Sequence, residues 1–139
     1  MNYKIIGKYI KDLNFSIPNT KAFYLLSKNI AKYKINIDIK SKRIKQNIIE
    51  VLTSLHLTPV KNDFEVIKTR IIFATIVELQ DDKIEKDQLE KIILVKVPSK
   101  IYGELREIFV SLFENSGFKD VKISENIDFQ KLYNMKKVQ

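Results

Sequence analysis

The stretch YKINIDIKSK, residues 33–42, alternates apolar and polar side chains. Three isoleucines fall on one side of an extended chain, and the polar residues between them fall on the other. A period of two of this kind predicts a β-strand that buries one face and leaves the other in water. The fold class follows from this strand, because the other predicted strands lie beside it and the predicted helices pack against one of its faces.

Three other stretches have the same period: residues 5–17, 47–59 and 65–80. Pro59 ends one of them and marks a hairpin connection. The links between strands leave no room for parallel crossovers, so the four strands predict an antiparallel sheet. In the first strand we expect Tyr9 to share the apolar face, with Lys8 on the polar face.

After Gln80 the apolar period changes from two to 3.6, which predicts helices in residues 81–97 and 99–118. We expect Pro98 to separate the two helices, and Gly117 to cap the second. Strands followed by helices give an α+β fold, a four-stranded antiparallel sheet followed by two main helices packed on one face.

A sheet covered by helices on one side leaves its other side to solvent. The fourth strand is apolar on both sides at its centre, so Ile72, Ala74 and Ile76 are expected on this second face. Such a face is either buried by an oligomer partner or used for binding. The sequence leaves both readings open, together with a third in which the chain is purely an oligomerisation domain.

The length and composition are those of a globular protein. At 139 residues, with 45% hydrophobic and 30% charged residues, the chain is long enough to bury a core, and we expect one domain over residues 1–139. No apolar run approaches the roughly 18–20 residues that span a membrane. The first ten residues lack the long apolar core of a signal peptide, so a cytoplasmic location without membrane insertion is expected.

Charge is distributed unevenly. The net charge is +8, and residues 1–45 hold eleven basic residues against two acidic ones. Only three of the 25 basic residues are Arg, the side chain that reads base edges with two hydrogen bonds. A basic nucleic-acid-binding module is therefore an alternative function and nucleic acid is not the expected partner. Such a module would use Lys8, Lys40, Lys42, Arg43 and Lys45.

Residues that carry chemistry are scarce. His56 is the single histidine, predicted on a polar strand face, and the chain has no cysteine, so the common zinc ligand sets are missing. Its three glycines are isolated, so no phosphate-binding loop is present. We expect no catalytic residues, no metal and no cofactor, and the chain is not expected to be an enzyme.

The segment YIKDLNFSIPN, residues 9–19, resembles the N-terminal signature of the SecB family of bacterial export chaperones. That signature has the form aromatic-x-Lys-Asp-apolar-Ser-Phe-x-x-Pro-Asn, and Asn14 stands here in place of the usual Ser. Pro98 resembles the proline of the family's Cys-Pro-Asn segment. Further segments resemble the family in the same order: KINIDI (34–39), IIEVLTSLHLT (48–58), IVELQ (76–80), IYGELREIFVSLFENSGF (101–118) and NIDFQKLY (126–133).

The resemblance implies a homotetramer, a dimer of dimers, with helices sandwiched between sheets. It implies a chaperone that uses no ATP, holds unfolded preproteins in apolar grooves and passes them to the SecA motor. Carried over by position, the docking surface for SecA consists of Asp12, Ile76 and Glu78. The client-binding groove expected from the resemblance contains Phe23, Tyr24, Tyr33, Ile72 and Tyr102.

The sequence departs from the family pattern in its charge. Ser16 occupies a position where the family often has an acidic docking residue, and the chain is basic where family members are usually acidic. Since SecA presents a basic tail, client holding is better supported than delivery to SecA. A SecB-like chaperone of a toxin-antitoxin system is a further alternative.

Overall fold

The computed structural model describes residues 2–29, 33–59, 68–81, 83–119 and 123–138. One four-stranded antiparallel sheet has the strand order β1-β4-β3-β2, which confirms the predicted fold class. The connection predicted to follow Pro59 lies outside the described residues. The elements are β1 (Tyr3–Ser16), α1 (Thr20–Asn29), β2 (Tyr33–Lys45), β3 (Ile48–Pro59), β4 (Lys68–Leu79), α2 (Lys86–Lys91), a π-helical segment (Ile92–Lys96), α3 (Val97–Asn115) and α4 (Phe129–Val138).

One face of the sheet packs against α3 and forms the core. Residues at odd positions of β3 and β4 point to this face, among them Leu55 and Ile71, which stand opposite each other and are fully buried. From α3, Phe109 and Phe113 fill the space above them, with ring centroids 5.2 Å apart. A second cluster around Val77 and the π-helical segment continues the core toward the other end of the sheet.

The face distribution predicted for β1 is wrong in its middle part. Two β-bulges, at Ile6 and Lys11, each insert one residue that has no partner on β4. Because side chains alternate along a strand, each bulge exchanges the two faces. Lys8 therefore points to the helix side, where its Nζ lies 2.5 Å from Glu104 Oε1 of α3, and Tyr9 points to the opposite face.

The apolar periods of the sequence did not predict helix α1, which begins two residues after Pro18. Asn19 caps it: its side-chain oxygen accepts a hydrogen bond of 2.8 Å from the backbone N–H of Ala22. Ala22 and Leu26, four residues apart, are both buried in the main core. The asparagine cap and this spacing were the sequence signals for the helix.

The prediction that Pro98 separates two helices is also wrong. Lys96 and Val97 keep right-handed helical backbone angles, so α2 passes through the π-helical segment into α3 without a break. Pro98 is the second residue of α3. A π-turn widens the backbone locally, and this relieves the clash between a proline ring and the preceding turn.

Gly117 ends α3, as predicted. Its φ of +99° lies in the region that residues with a Cβ rarely adopt. The N–H of Gly117 donates to the carbonyl of Glu114, and the N–H of Phe118 donates to the carbonyl of Phe113, which is the hydrogen-bond pattern of a Schellman cap. The rings of Phe113 and Phe118 complete it, with centroids 5.7 Å apart.

Replacing Gly117 with alanine is expected to lower the free energy of unfolding by about 1 kcal/mol, because the alanine must adopt a left-handed conformation. Gly103 provides the matched control: it lies within α3, and a Cβ added there meets no atom within 4 Å. Gly103→Ala should instead raise the free energy by about 0.5–1 kcal/mol. Urea denaturation of both variants checks this, and equal shifts of the same sign would contradict the cap.

Candidate binding surfaces

An apolar groove lies between β2, the edge strand of the sheet, and α4. A cavity of about 260 Å³ opens between β2, the π-helical segment and α4. Leu132 of α4 is 51% exposed at this cavity, so an apolar ligand would remove it from water. Apart from one aspartate, the side chains around the cavity are apolar or aromatic: Ile37, Asp38, Ile39, Leu94, Phe129, Leu132 and Tyr133.

The far wall of this groove is fixed by α4. Phe129 and Tyr133 are buried on the inner side of α4, and the Tyr133 hydroxyl lies 3.2 Å from Glu90 Oε2 of α2. Asp128 accepts a hydrogen bond of 2.9 Å from the backbone N–H of Lys131 at the start of α4. The groove therefore has one wall from the sheet edge and one from an anchored helix.

Two of the predicted groove residues are neighbours on α1. Phe23 is half-buried, and its ring centroid lies 4.7 Å from that of Phe118. Tyr24 is 55% exposed, and the Lys28 ammonium lies over its ring at 4.8 Å. Of the two, Tyr24 has the more accessible surface for a ligand.

The other three predicted groove residues lie elsewhere. Tyr102 is buried, and its hydroxyl donates a hydrogen bond of 2.6 Å to the carbonyl of Ser124. Burial raises the pKa of Tyr102, and the positive charge of Arg106 partly offsets this. Ile72 lies on the opposite side of the sheet, half-buried. The side chain of Tyr33 lies outside the described residues, so the structure does not join these five positions into one groove.

The sheet surface that faces away from α3 is named here the open face. Asp12, Ile76 and Glu78, the predicted docking residues, all lie on it. Asp12 stands opposite Ile72, six residues along β4 from Glu78, so the set extends over roughly 20 Å. The Asp12 carboxylate is 3.4 Å from the Arg70 guanidinium, and both side chains are about half exposed.

The centre of the open face is less exposed than predicted. Ala74 is fully buried, and Ile72 and Ile76 are half-buried. Tyr9 and Leu52 stand on either side of Ala74 in the register, and these larger neighbours shield a side chain that has only one methyl group. The prediction that Ala74 is exposed is therefore wrong.

Glu50 organises the charges on this face, a role that the sequence reasoning missed. Its carboxylate accepts a hydrogen bond of 2.7 Å from the Tyr9 hydroxyl and lies 3.7 Å from Lys11 Nζ. The hydrogen bond to Glu50 is the main cause that raises the pKa of Tyr9. Lys42 stands opposite Glu50 from β2. The bulges in β1 bring Tyr9 and Lys11 to this position, and strand periodicity alone cannot reveal them.

The basic residues considered for nucleic acid do not form one surface. Lys8 is on the helix side of β1 and paired with Glu104. Lys40 and Lys42 are on the open face at the far edge of the sheet. Arg43 stands opposite Ile49, a buried residue of the helix side, and its guanidinium donates to the carbonyl of Gln46.

A second apolar surface lies along β1 on the helix side. Ile10 and Leu13 stand opposite buried residues of β4, yet they are 45% and 46% exposed. On α3, half-buried Ile108 and Leu112 line a shallow depression of about 470 Å³ together with Glu104, Glu107 and Ser111. An exposed sheet edge beside a partly covered helix is a surface that a further polypeptide chain could cover.

His56 lies on the open face opposite Arg70, as its strand position predicted. It is half-buried, and its Nδ1 atom is buried without a hydrogen-bond partner in the described part of the chain. Within the described ranges, no three His, Asp or Glu side chains come together as a metal site.

Comparisons with known proteins identify the family of this chain. A sequence model for a family described as "Preprotein translocase subunit SecB" matches residues 1–139. The chain belongs to the SecB family. This places it among the protein-export chaperones and confirms the family that residues 9–19 and the later segments resemble.

Relatives of the SecB family match over nearly the whole chain. A putative protein-export protein SecB of Pelagibacter ubique is 41% identical, covering 95% of this chain and 94% of the relative. The protein-export protein SecB of Anaplasma phagocytophilum is 24% identical over 94% of this chain and 89% of the relative. A solved SecB-like chaperone of Mycobacterium tuberculosis, in complex with a ChAD peptide from an antitoxin, shares the fold with a TM-score of 0.60. It is 11% identical and covers 88% of this chain and 90% of that one.

Among the described residues of this SecB family member, no helix combines the length and the apolar character needed to cross a membrane.

Proposed function

We propose that this chain is an ATP-independent cytosolic chaperone that holds unfolded preproteins in an export-competent state. The observation that carries the proposal is the apolar groove between β2 and α4, in a chain of the SecB family. The solved relative from Mycobacterium tuberculosis holds a peptide, which makes a polypeptide segment the natural class of ligand to propose.

Holding by such a groove requires no nucleotide. Unfolded segments expose large apolar side chains, and burying one of them contributes roughly 1.5–3 kcal/mol. The groove supplies half-exposed Leu132 and the half-buried isoleucines of β2 for this contact. Several weak contacts along one flexible client add up by avidity and demand no specific sequence.

The proposal includes a homotetramer that is a dimer of dimers. The surface that supports it is the helix side of β1 with α3, where Ile10 and Leu13 leave much of their apolar area in water. Of the five predicted client-binding positions, exposed Tyr24 and half-buried Phe23 on α1 would add to the client-binding surface.

The chaperone would deliver its clients to SecA through Asp12, Ile76 and Glu78. These residues share the open face, which supports a common docking surface. Arg70 lies beside Asp12, and Lys4 stands opposite Glu78. Since these cations compensate both carboxylates, docking on a basic partner is expected to be weak and to fall with added salt.

The decisive experiment is to dilute a chemically unfolded, aggregation-prone protein into buffer that contains the purified chain and no ATP. Light scattering should stay low at near-stoichiometric chaperone, at low and at physiological salt, because apolar burial is hardly screened. A second sample titrated with SecA measures the delivery step separately.

Unchanged aggregation at both salt concentrations would rule out the holding function. Suppression that disappears at physiological salt would assign the effect to surface charge and contradict the role of the groove.

A further inference from the structure

We propose that the outer edge of β2 binds a client segment as an added fifth strand, and that it prefers segments that alternate apolar and acidic residues. This inference rests on the proposed holding function and specifies its client class. It joins three features that the structure places side by side: a strand edge, an apolar groove and a row of lysines.

The first feature is the edge itself. The strand order ends at β2, so one of its two edges has no neighbouring strand among the described residues. The strand is 13 residues long, enough for a client segment of ordinary strand length. An extended peptide that pairs with such an edge gains backbone hydrogen bonds whatever its sequence, which suits a chaperone.

The second feature is the side of the added strand that faces the helices. Alternate side chains of a strand beside β2 would point toward the cavity at Ile37 and Ile39. The opposite wall offers Leu132, whose side chain is half exposed. Every second residue of the client would therefore be apolar.

The third feature is the side that faces the open surface. Lys40 and Lys42 are exposed there, two residues apart on β2, and Lys45 follows where β2 ends. Within the described residues, none of these three lysines makes an ion pair. Cross-strand partners lie about 5 Å apart, so acidic residues on the added strand would meet Lys40 and Lys42 directly.

Asp38 limits where acids are favoured. It precedes Lys40 on the same face and is exposed, so an acidic client residue opposite it would be repelled. The preferred segment therefore carries its acids opposite Lys40 and Lys42 and a neutral or basic residue opposite Asp38.

The competing explanation is protective. Lysines on an edge strand discourage other strands from pairing with it. In that case the edge would bind neither acidic nor basic segments, and lysine removal would increase self-association only.

Two fluorescent peptides of about ten residues separate these explanations, one alternating Val with Glu and one alternating Val with Lys, and both carry Gln at the position that pairs with Asp38. Anisotropy titration of the wild-type chain should give an affinity about tenfold higher for the Glu peptide. The double variant Lys40→Glu/Lys42→Glu should reverse this preference. The matched control Lys86→Glu/Lys91→Glu, which changes the same charge on exposed positions of α2, should retain it.

A third peptide tests the strand pairing. It keeps the Val and Glu side chains but carries methyl groups on four consecutive central backbone nitrogens, so that neither edge of it can pair with β2. Its affinity should fall at least tenfold. Equal binding of the methylated peptide, or a Glu preference that survives Lys40→Glu/Lys42→Glu, would overturn the inference.

The light-scattering assay with a neutral client keeps this test separate from the proposed function. If the wild type suppresses aggregation but shows no charge preference, only the acidic-strand inference fails. If the wild type does not suppress aggregation of any client, the holding function itself fails.

Discussion

Replacing Phe113 with alanine is expected to lower the free energy of unfolding by about 3–5 kcal/mol. Phe113 is fully buried in the main core, and its ring contacts the rings of Phe15, Phe109 and Phe118, with centroids 4.9, 5.2 and 5.7 Å away. Its removal leaves a cavity at the point where α3, β1 and the segment after the Schellman cap meet. Because these elements are fixed elsewhere, they cannot close the cavity completely.

Urea denaturation followed by circular dichroism measures this loss. The control is Leu112→Ala, which removes a half-buried side chain from the adjacent position of the same helix. The loss in the control should be clearly smaller, since less apolar area leaves its burial. Similar losses in the two variants would contradict the central position of Phe113.

The second large effect concerns binding. Leu132→Asp should weaken the affinity for unfolded clients by about tenfold or more, because a charge replaces an apolar wall of the groove and must be desolvated by the ligand. Since Leu132 is half exposed, the free energy of unfolding should change little. Anisotropy with a labelled, permanently unfolded client gives the affinity, and denaturation gives the stability.

Met135→Asp is the matched control, since Met135 is on the same helix and 54% exposed but does not line the cavity. It should leave client affinity near that of the wild type. If both variants bind as well as the wild type, the groove beside β2 is not the client site.

The strands could be predicted because they carry the physical pattern that the sheet requires. Residues 33–42 alternate along their whole length, and the structure extends this strand only to Lys45. The cap at Gly117 was predictable for a similar reason, because its backbone conformation is one that glycine adopts without strain. Strand alternation and helix caps depend on neighbouring residues, so the local sequence predicts them.

The errors arise where distant contacts decide. Pro98 is compatible with a continuous helix only because the π-helical segment precedes it. The isoleucines and the valine of that segment occur in strands and in helices, so they do not predict a π-turn. The groove combines Ile37 with Leu132, which are almost a hundred positions apart in the sequence. No local sequence pattern can therefore predict it. Tyr102 was expected at a binding surface because it is aromatic, but the segment that ends at Ser124 covers it.

The two bulges in β1 have a consequence for how relatives of this chain can differ in length. Ile6 and Lys11 each reverse the phase of the strand, so together they restore it, and Tyr3 and Phe15 both face the helices. Deleting either residue removes one bulge and leaves every other residue of β1 opposite its present partner on β4, because the deleted residue has no partner. Relatives of this chain should therefore be able to lack residue 6 or residue 11 singly, and alignments of this strand should place single gaps at these two positions.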